Sequence, residues 1–292
     1  MAGGLKEVRN RIVSVQSTRQ ITQAMKMVSA AKLRRAQDAI TRMRPYAEKL
    51  QEILANVSAT LAEGEGVYSA QREVKNVLIV AITSNRGLCG GFNNNVIKET
   101  RRLMKEDFAG KNVKVLSLGK KAFDNFKSQP VNTTENLGPT PYSIFDQLNF
   151  ANTSIIAEGV MEAFAKHKYD HIVVVYNRFK NAASQDVMAE QLLPVRQPEV
   201  TEAAMPAEYI FEPNREEIIE RIIPNSIKIQ LFKALIDRNA TEHGARMTAM
   251  HKATDNATDL IKELKLTYNK ARQAAITNEI LEIVGGAEAL NA

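Results

Sequence analysis

Apolar residues recur every seven positions through the first sixty residues, and this repeat constrains the fold more than any other feature. From Leu5 to about Leu61 the chain has one proline, Pro45, and no glycine. One position of the repeat reads Val8, Val15, Thr22, Ser29, Ala36, Met43, Leu50, Val57, and the other reads Leu5, Ile12, Arg19, Lys26, Leu33, Ile40, Ala47, Leu54, Leu61. The pattern predicts one long coiled-coil helix with a local bend at Pro45.

A second repeat of the same kind fills the last eighty residues. We expect a helix that begins near Asn214, a suitable N-cap, and ends at Val284, before the pair Gly285 and Gly286. About seventy helical residues would measure on the order of 100 Å, which exceeds a compact domain. Since such helices are stable only against a partner, the two ends of the chain are predicted to pair antiparallel.

Between these helices the hydrophobic period changes. Buried strands are predicted at 77–82, 113–118 and 172–176, helices at 94–108 and 143–168, and an edge strand at 186–193. This alternation indicates a Rossmann-like α/β domain with a largely parallel sheet, inserted into the coiled coil. The predicted division is an N-terminal helix over 1–70, an α/β domain over 71–209 and a C-terminal helix over 210–292.

Charge and composition narrow the class of protein without selecting one. The 292 residues carry a formal net charge of +6, with the excess of lysine and arginine concentrated near the N-terminus. Such a balance permits a nucleic acid, a membrane surface or an acidic protein as partner. No run of eighteen apolar residues occurs, which argues against a membrane span, and the single Cys89 cannot form an internal disulfide.

A glycine-rich segment, Ser84 to Asn93, follows the first predicted strand, where α/β proteins often bind phosphate. It matches neither dinucleotide-binding nor P-loop spacing, and the chain carries none of the common catalytic motifs. We therefore favour a tight loop that needs positive φ and is exposed for protein contact. A nucleotide-binding enzyme stays open as an alternative and would bind a mononucleotide as an isolated chain.

Charged residues interrupt the predicted helix seam. Arg19, Lys26 and Arg246 occupy seam positions, where burial of a charge is costly. This part of the coiled coil is therefore expected to face other protein or water rather than only its mate. A coiled-coil nucleic-acid-binding protein is the second open alternative, and its binding would fall steeply with salt.

Four segments together resemble the γ subunit of F-type ATP synthases: residues 21–37, 86–93, 242–257 and 268–286. The resemblance covers both ends and the middle of the chain in order. It implies a non-catalytic rotor without a cofactor or a nucleic-acid partner. The coiled coil would stand inside a ring of α and β subunits, and the α/β domain would join the ε subunit and the membrane c-ring.

The resemblance also implies which residues touch partners. Six lie at matched positions where the family's coiled coil meets the catalytic β subunits: Met25, Lys26, Arg272, Gln273, Thr277 and Glu279. Arg86 and Cys89 lie in the loop that approaches a β subunit in the family. The chain lacks the cysteine-bearing insert of the chloroplast type, which removes thiol control. The expected location is the cytoplasmic face of a bacterial inner membrane, reached only through the complex.

Overall fold

The computed structural model describes residues 2–58, 67–133, 143–182, 184–195 and 215–291. The elements in chain order are α1 (Ala2–Ser58), β1 (Asn76–Ile82), α2 (Phe92–Lys105), β2 (Asn112–Leu118), α3 (Lys120–Phe126), β3 (Asn132–Thr133), a short 3-10 turn (Ser143–Phe145), α4 (Phe150–Ala165), β4 (His171–Phe179), β5 (Gln185–Leu193) and α5 (Arg215–Asn291). They form two compact units. The terminal unit combines α1 up to Ser29 with α5 from Arg246 onward, and the sheet unit runs from Ala30 to Ala245.

In the terminal unit the two long helices pack antiparallel, as predicted. The hydroxyl oxygens of Thr22 and Thr254 are 2.9 Å apart, and Lys26 Nζ lies 3.3 Å from His251 Nδ1. Toward the start of α1, Val8 shares a groove with Leu264. Residue numbers therefore rise along α1 as they fall along α5. The antiparallel pairing of the chain's two ends is confirmed.

Among its described residues, the sheet unit contains a five-stranded sheet in the order β3-β2-β1-β4-β5. Strands β1 to β4 are parallel, and β5 pairs antiparallel with β4 at one edge. The predicted largely parallel sheet and its extra edge strand are thus confirmed. Since β2 lies on one side of β1 and β4 on the other, the strand order reverses direction between β1 and β4, and this position matters for the site described below.

Both faces of the sheet are covered, because alternate residues of each buried strand point to opposite sides. Leu78, Val80 and Ile82 of β1 contribute to a core cluster that also contains residues of α4 and α5. Val77, Ile79 and Ala81 contribute to a second cluster, with residues of α2 and α3. On α5 the core residues Ile227, Leu231, Ala234 and Leu235 follow helical spacing, so one stripe of the helix belongs to the core.

Three predicted helices have other bounds in the structure. The helix expected over 94–108 is α2, which spans Phe92–Lys105. The helix expected over 143–168 is divided into the 3-10 turn and α4, because the Asn149 side chain accepts a hydrogen bond from the Asn152 amide and caps a new helix there. The C-terminal helix, predicted to end at Val284, continues as α5 to Asn291. Gly285 and Gly286 do not adopt the left-handed conformation of a helix stop, so they lie inside the helix.

As predicted, α1 is one helix that continues through Pro45, and α5 likewise continues through Pro224. The short elements α3 and β3 were not predicted, since seven and two residues are too few to show a period. The proposed cap Asn214 and the boundary between 209 and 210 lie outside the described residues. The division into 1–70, 71–209 and 210–292 stays a prediction.

None of the described helices combines the length and apolarity that crossing a membrane requires.

Candidate interaction surfaces

The residues predicted to contact partners on the long helices fall into two separate places in the terminal unit. Met25 and Lys26 are half-buried on α1, and Lys26 lies beside His251 of α5. Arg272 is twenty-one positions further along α5 than His251, which is about 30 Å of helix. The structure therefore does not bring these two groups together, and they would contact different parts of a partner.

The second group of predicted contacts lies near the end of α5. Arg272, Gln273, Thr277 and Glu279 are all exposed. The Thr277 hydroxyl donates to the Gln273 carbonyl oxygen of its own helix at 2.9 Å. This bond holds the Thr277 side chain against the helix, while the longer Arg272 and Gln273 side chains face outward and are available for a partner.

Large apolar side chains accompany this group and were not selected from the sequence. They are Ile276, Ile280, Leu281, Ile283 and Val284, each about half exposed or more. On α1 of the same unit, Val13, Ile21, Met27 and Val28 are exposed to a similar extent. The mixture of apolar and polar residues on all sides of 268–280 could have indicated these exposed residues. Periodicity alone, however, does not show which residues the mate helix covers.

Arg246 contradicts the expectation for charged seam residues. It is buried, with 8% of its surface exposed, so it faces its own chain rather than a partner or water. Lys26 keeps part of its surface exposed, which fits the expectation better. Arg19 is likewise half-buried. The three cationic seam positions thus have different surroundings, which the sequence pattern did not distinguish.

In the sheet unit, the glycine loop (residues 84–91) joins β1 to α2. Leu88 and Gly90 have φ values of 61° and 58°, as the predicted tight loop requires. The Leu88 side chain is 65% exposed, and Arg86 is also exposed. Cys89 is buried, and Asn93 Nδ2 donates to its sulfur at 3.2 Å. The surface that the loop presents therefore consists of Arg86 and Leu88 rather than the thiol.

Helix α5 occupies the crevice at the carboxyl ends of β1 and β4. Arg238 Nε donates to the carbonyl oxygen of Thr83, the residue that follows β1, at 3.0 Å. The Thr241 hydroxyl lies 3.2 Å from the carbonyl oxygen of Asn177 in β4. In open parallel sheets, ligands bind at this position, where the strand order reverses. Here the side chains of the chain's own helix take that place.

Beside this crevice lies a cluster of buried polar groups. The Tyr176 hydroxyl donates to Glu190 Oε1 at 2.9 Å, and burial together with the Glu190 carboxylate raises the pKa of the Tyr176 hydroxyl. Burial also raises the pKa of Asp237 to about 6, against the opposing effect of Lys233. Glu190 acts in the same direction as burial, while Arg44 and Arg178 oppose it. The ionised form of Asp237 is therefore unfavourable in the folded chain, so the contribution of this residue to stability changes with pH.

The fold and these surfaces define a class of protein: two long terminal helices in antiparallel contact, together with an α/β unit whose usual ligand crevice is filled by its own helix. The sequence matches the family described as ATP synthase over residues 4–290. Among its relatives, the ATP synthase gamma chain of Flavobacterium johnsoniae is 62% identical over 98% of this chain and 99% of the relative. That of Cytophaga hutchinsonii is 50% identical, also over 98% and 99%. The chain belongs to the ATP synthase gamma chain family.

Solved structures share the fold at lower sequence identity. The chain is similar to one in the Euglena gracilis mitochondrial ATP synthase (OSCP/F1/c-ring), with a TM-score of 0.68, 22% identity, and coverage of 99% of this chain and 95% of that one. A chain of the Tetrahymena thermophila mitochondrial ATP synthase (central stalk/c-ring) gives a TM-score of 0.56 and 24% identity, covering 80% and 99%. These similarities extend the fold assignment over both terminal helices and the sheet.

Proposed function

We propose that the chain is the central-stalk rotor subunit of an F1Fo ATP synthase. In this function it couples ion flow through the membrane c-ring to conformational cycling of the catalytic β subunits. Membership of the gamma chain family supports the proposal. The similar structures come from complexes described as central stalk and c-ring or as F1 and c-ring, which points in the same direction.

The exposed apolar surface of the terminal unit is the observation that carries the proposal. Five large apolar side chains near the end of α5 are exposed to solvent: Ile276, Ile280, Leu281, Ile283 and Val284. A helix end that exposes this many large apolar side chains is an interaction surface, because water penalises a contiguous apolar patch. A ring of subunits that surrounds the helix would cover such side chains on several sides at once.

In this proposal each group of surface residues has a partner. Met25, Lys26, Arg272, Gln273, Thr277 and Glu279 contact β subunits of the α and β ring. The glycine loop, with Arg86 outside and Cys89 beneath it, approaches a β subunit as well. The α/β domain joins the ε subunit and the c-ring, so the chain reaches the inner membrane only through the complex. It contributes no catalytic residue and holds no cofactor.

The double variant Arg272→Ala with Gln273→Ala tests the proposal. Hydrogen bonds from these side chains to a carboxylate of a β subunit would be worth about 1.5 to 3 kcal/mol each. We expect the variant to assemble with α and β subunits, while ATP synthesis and hydrolysis per assembled complex fall. The measurement is turnover normalised to the amount of purified complex.

The matched control removes a charged pair from another exposed part of α5. Lys262 Nζ and Asp259 Oδ1 are 3.0 Å apart on the helix surface, and both are well exposed. The variant Lys262→Ala with Asp259→Ala should leave turnover unchanged. If the Arg272 and Gln273 variant instead assembles poorly and the assembled fraction turns over normally, these residues only stabilise the helix pair and the contact is refuted.

A further inference from the structure

Arg238 is a buried cation on α5, with 2% of its surface exposed, and it is held by groups from three parts of the sheet unit. Its Nε donates to the Thr83 carbonyl oxygen, and its guanidinium pairs with Glu242 one helical turn away. The same guanidinium carbon lies 3.9 Å from the centroid of the Phe145 ring. Because an unpaired buried charge is very costly, these partners fix Arg238 in one position.

Thr83, which accepts the bond from Arg238, directly precedes the glycine loop. Its amide donates to the Leu118 carbonyl oxygen of β2 at 2.8 Å, and its hydroxyl accepts a bond from the Ala122 amide of α3 at 2.9 Å. Gly119 packs so closely against Thr83 that a Cβ there would overlap the Thr83 carbonyl group. Thr83 therefore has little freedom to move independently of α5 and α3.

The first residue of the loop is hydrogen-bonded to the start of α2, so the position of Thr83 affects the surface that the loop presents. The amide and the hydroxyl of Ser84 lie 2.9 Å and 3.0 Å from Asn93 Oδ1. Asn93 also donates to the Cys89 sulfur, which is buried below the exposed Leu88. A shift of Thr83 would move Ser84, loosen the Asn93 bonds and uncover Cys89.

From these contacts we infer that Arg238 is a positioning residue for the glycine loop. It links the position of α5 to the surface that Arg86 and Leu88 present. If α5 moves relative to the end of β1, the loop moves with it. The consequence for a β-subunit contact rests on the proposed function, whereas the linkage inside the chain does not.

The thiol of Cys89 supplies a direct readout, because it is the only cysteine in the chain and is buried beneath the loop. We would measure the labelling rate of the purified full-length chain with a small aromatic disulfide reagent under native conditions. Removal of the guanidinium in Arg238→Gln takes away a hydrogen bond from a charged donor. We expect the labelling rate to rise about tenfold or more as the loop opens.

A second arginine provides a matched control. Arg72 also donates to a backbone carbonyl, that of Phe164, at 3.2 Å, and its guanidinium carbon lies 4.6 Å from the Phe164 ring centroid. It belongs to the same unit but does not contact the glycine loop in the described contacts. Arg72→Gln should lower the thermal midpoint while changing the Cys89 labelling rate by no more than about twofold.

Labelling of Arg238→Gln that is no faster than that of Arg72→Gln overturns the inference. If Arg238→Gln does not fold, Arg238→Lys decides the matter: it keeps the charge but loses the planar fork, and the inference requires faster labelling than in the parent chain. Faster labelling together with unchanged turnover of the assembled complex supports the linkage and counts only against the loop contact in the proposed function.

Discussion

At the scale of single residues, Gly119 has a backbone conformation and surroundings that leave no room for a side chain. Its φ of 117° and ψ of 142° lie in a region that is essentially restricted to glycine. A Cβ would also overlap the carbonyl group of Thr83. We expect Gly119→Ala to lower the free energy of unfolding by roughly 2 to 4 kcal/mol, from backbone strain and the clash together. Urea denaturation of the purified chain measures this loss.

A substitution at Gly110 allows the backbone strain to be measured without the clash. Gly110 has a φ of 76°, but a Cβ there would meet nothing within 4 Å. Gly110→Ala should therefore lose only the conformational part, about 1 to 2 kcal/mol. Equal losses for the two variants would show that the contact with Thr83 is unimportant and that strain alone explains the glycine at 119.

At the scale of elements, α5 packs against the sheet with both an apolar stripe and charged groups. Ile227, Leu231 and Leu235 belong to the core, and Asp237 is buried two positions further on. Burial disfavours the charged form of Asp237, so the folded chain holds a proton on this carboxyl more tightly than the unfolded chain does. The packing of α5 on the sheet is therefore sensitive to pH.

The raised pKa fixes the sign of this pH dependence. Because the pKa of Asp237 is about 6 when folded and 3.8 ordinarily, its contribution favours folding more at pH 4 than at pH 7. The free energy of unfolding should fall by about 2 to 3 kcal/mol through this group as the pH rises across that window. Urea denaturation of Asp237→Asn at pH 4.5 and 7.5 should show a smaller fall than in the parent chain. An identical fall in both proteins would contradict the assignment.

At the scale of the whole molecule, the filled crevice bears on whether the chain has a nucleotide site. Arg238 and Thr241 of α5 occupy the position where open α/β sheets bind their ligands. We expect the purified chain neither to bind nor to hydrolyse ATP. Isothermal calorimetry should show no binding heat, with a complex of α and β subunits as the positive control. Stoichiometric binding at micromolar ATP would refute this expectation and favour the enzyme alternative.

Much of the architecture could be predicted because it depends on periodicity. The seven-residue repeat through Val8, Val15 and Leu50 specified α1 and its need for a mate, and the apolar runs at 77–82 and 172–176 specified buried strands. Boundaries were less predictable. Asn149 divided a predicted helix, and Gly285 failed to end another, because a cap or a stop depends on backbone conformation as well as on residue type.

For the contact residues, too, some features could be predicted from the sequence and others could not. The sequence, through its resemblance to a family, selected Arg272, Gln273 and the loop around Cys89, and these contacts remain predictions. It did not show that Arg246 is buried or that Ile280 and Ile283 are exposed. A heptad repeat identifies which residues of a helix share a face, but the mate helix and its length decide which part of that face is covered.

The sequence by itself thus determined the two long helices and the class of the intervening sheet, since both follow from local periods that any packing must satisfy. The antiparallel pairing followed from the need of each long helix for a partner. Only the tertiary structure decided that Arg238 reaches the end of β1 and that Cys89 lies beneath its loop. These contacts join residues more than a hundred positions apart or depend on left-handed backbone at Leu88. No local pattern encodes them, because they arise when α5 is placed across the carboxyl ends of the strands.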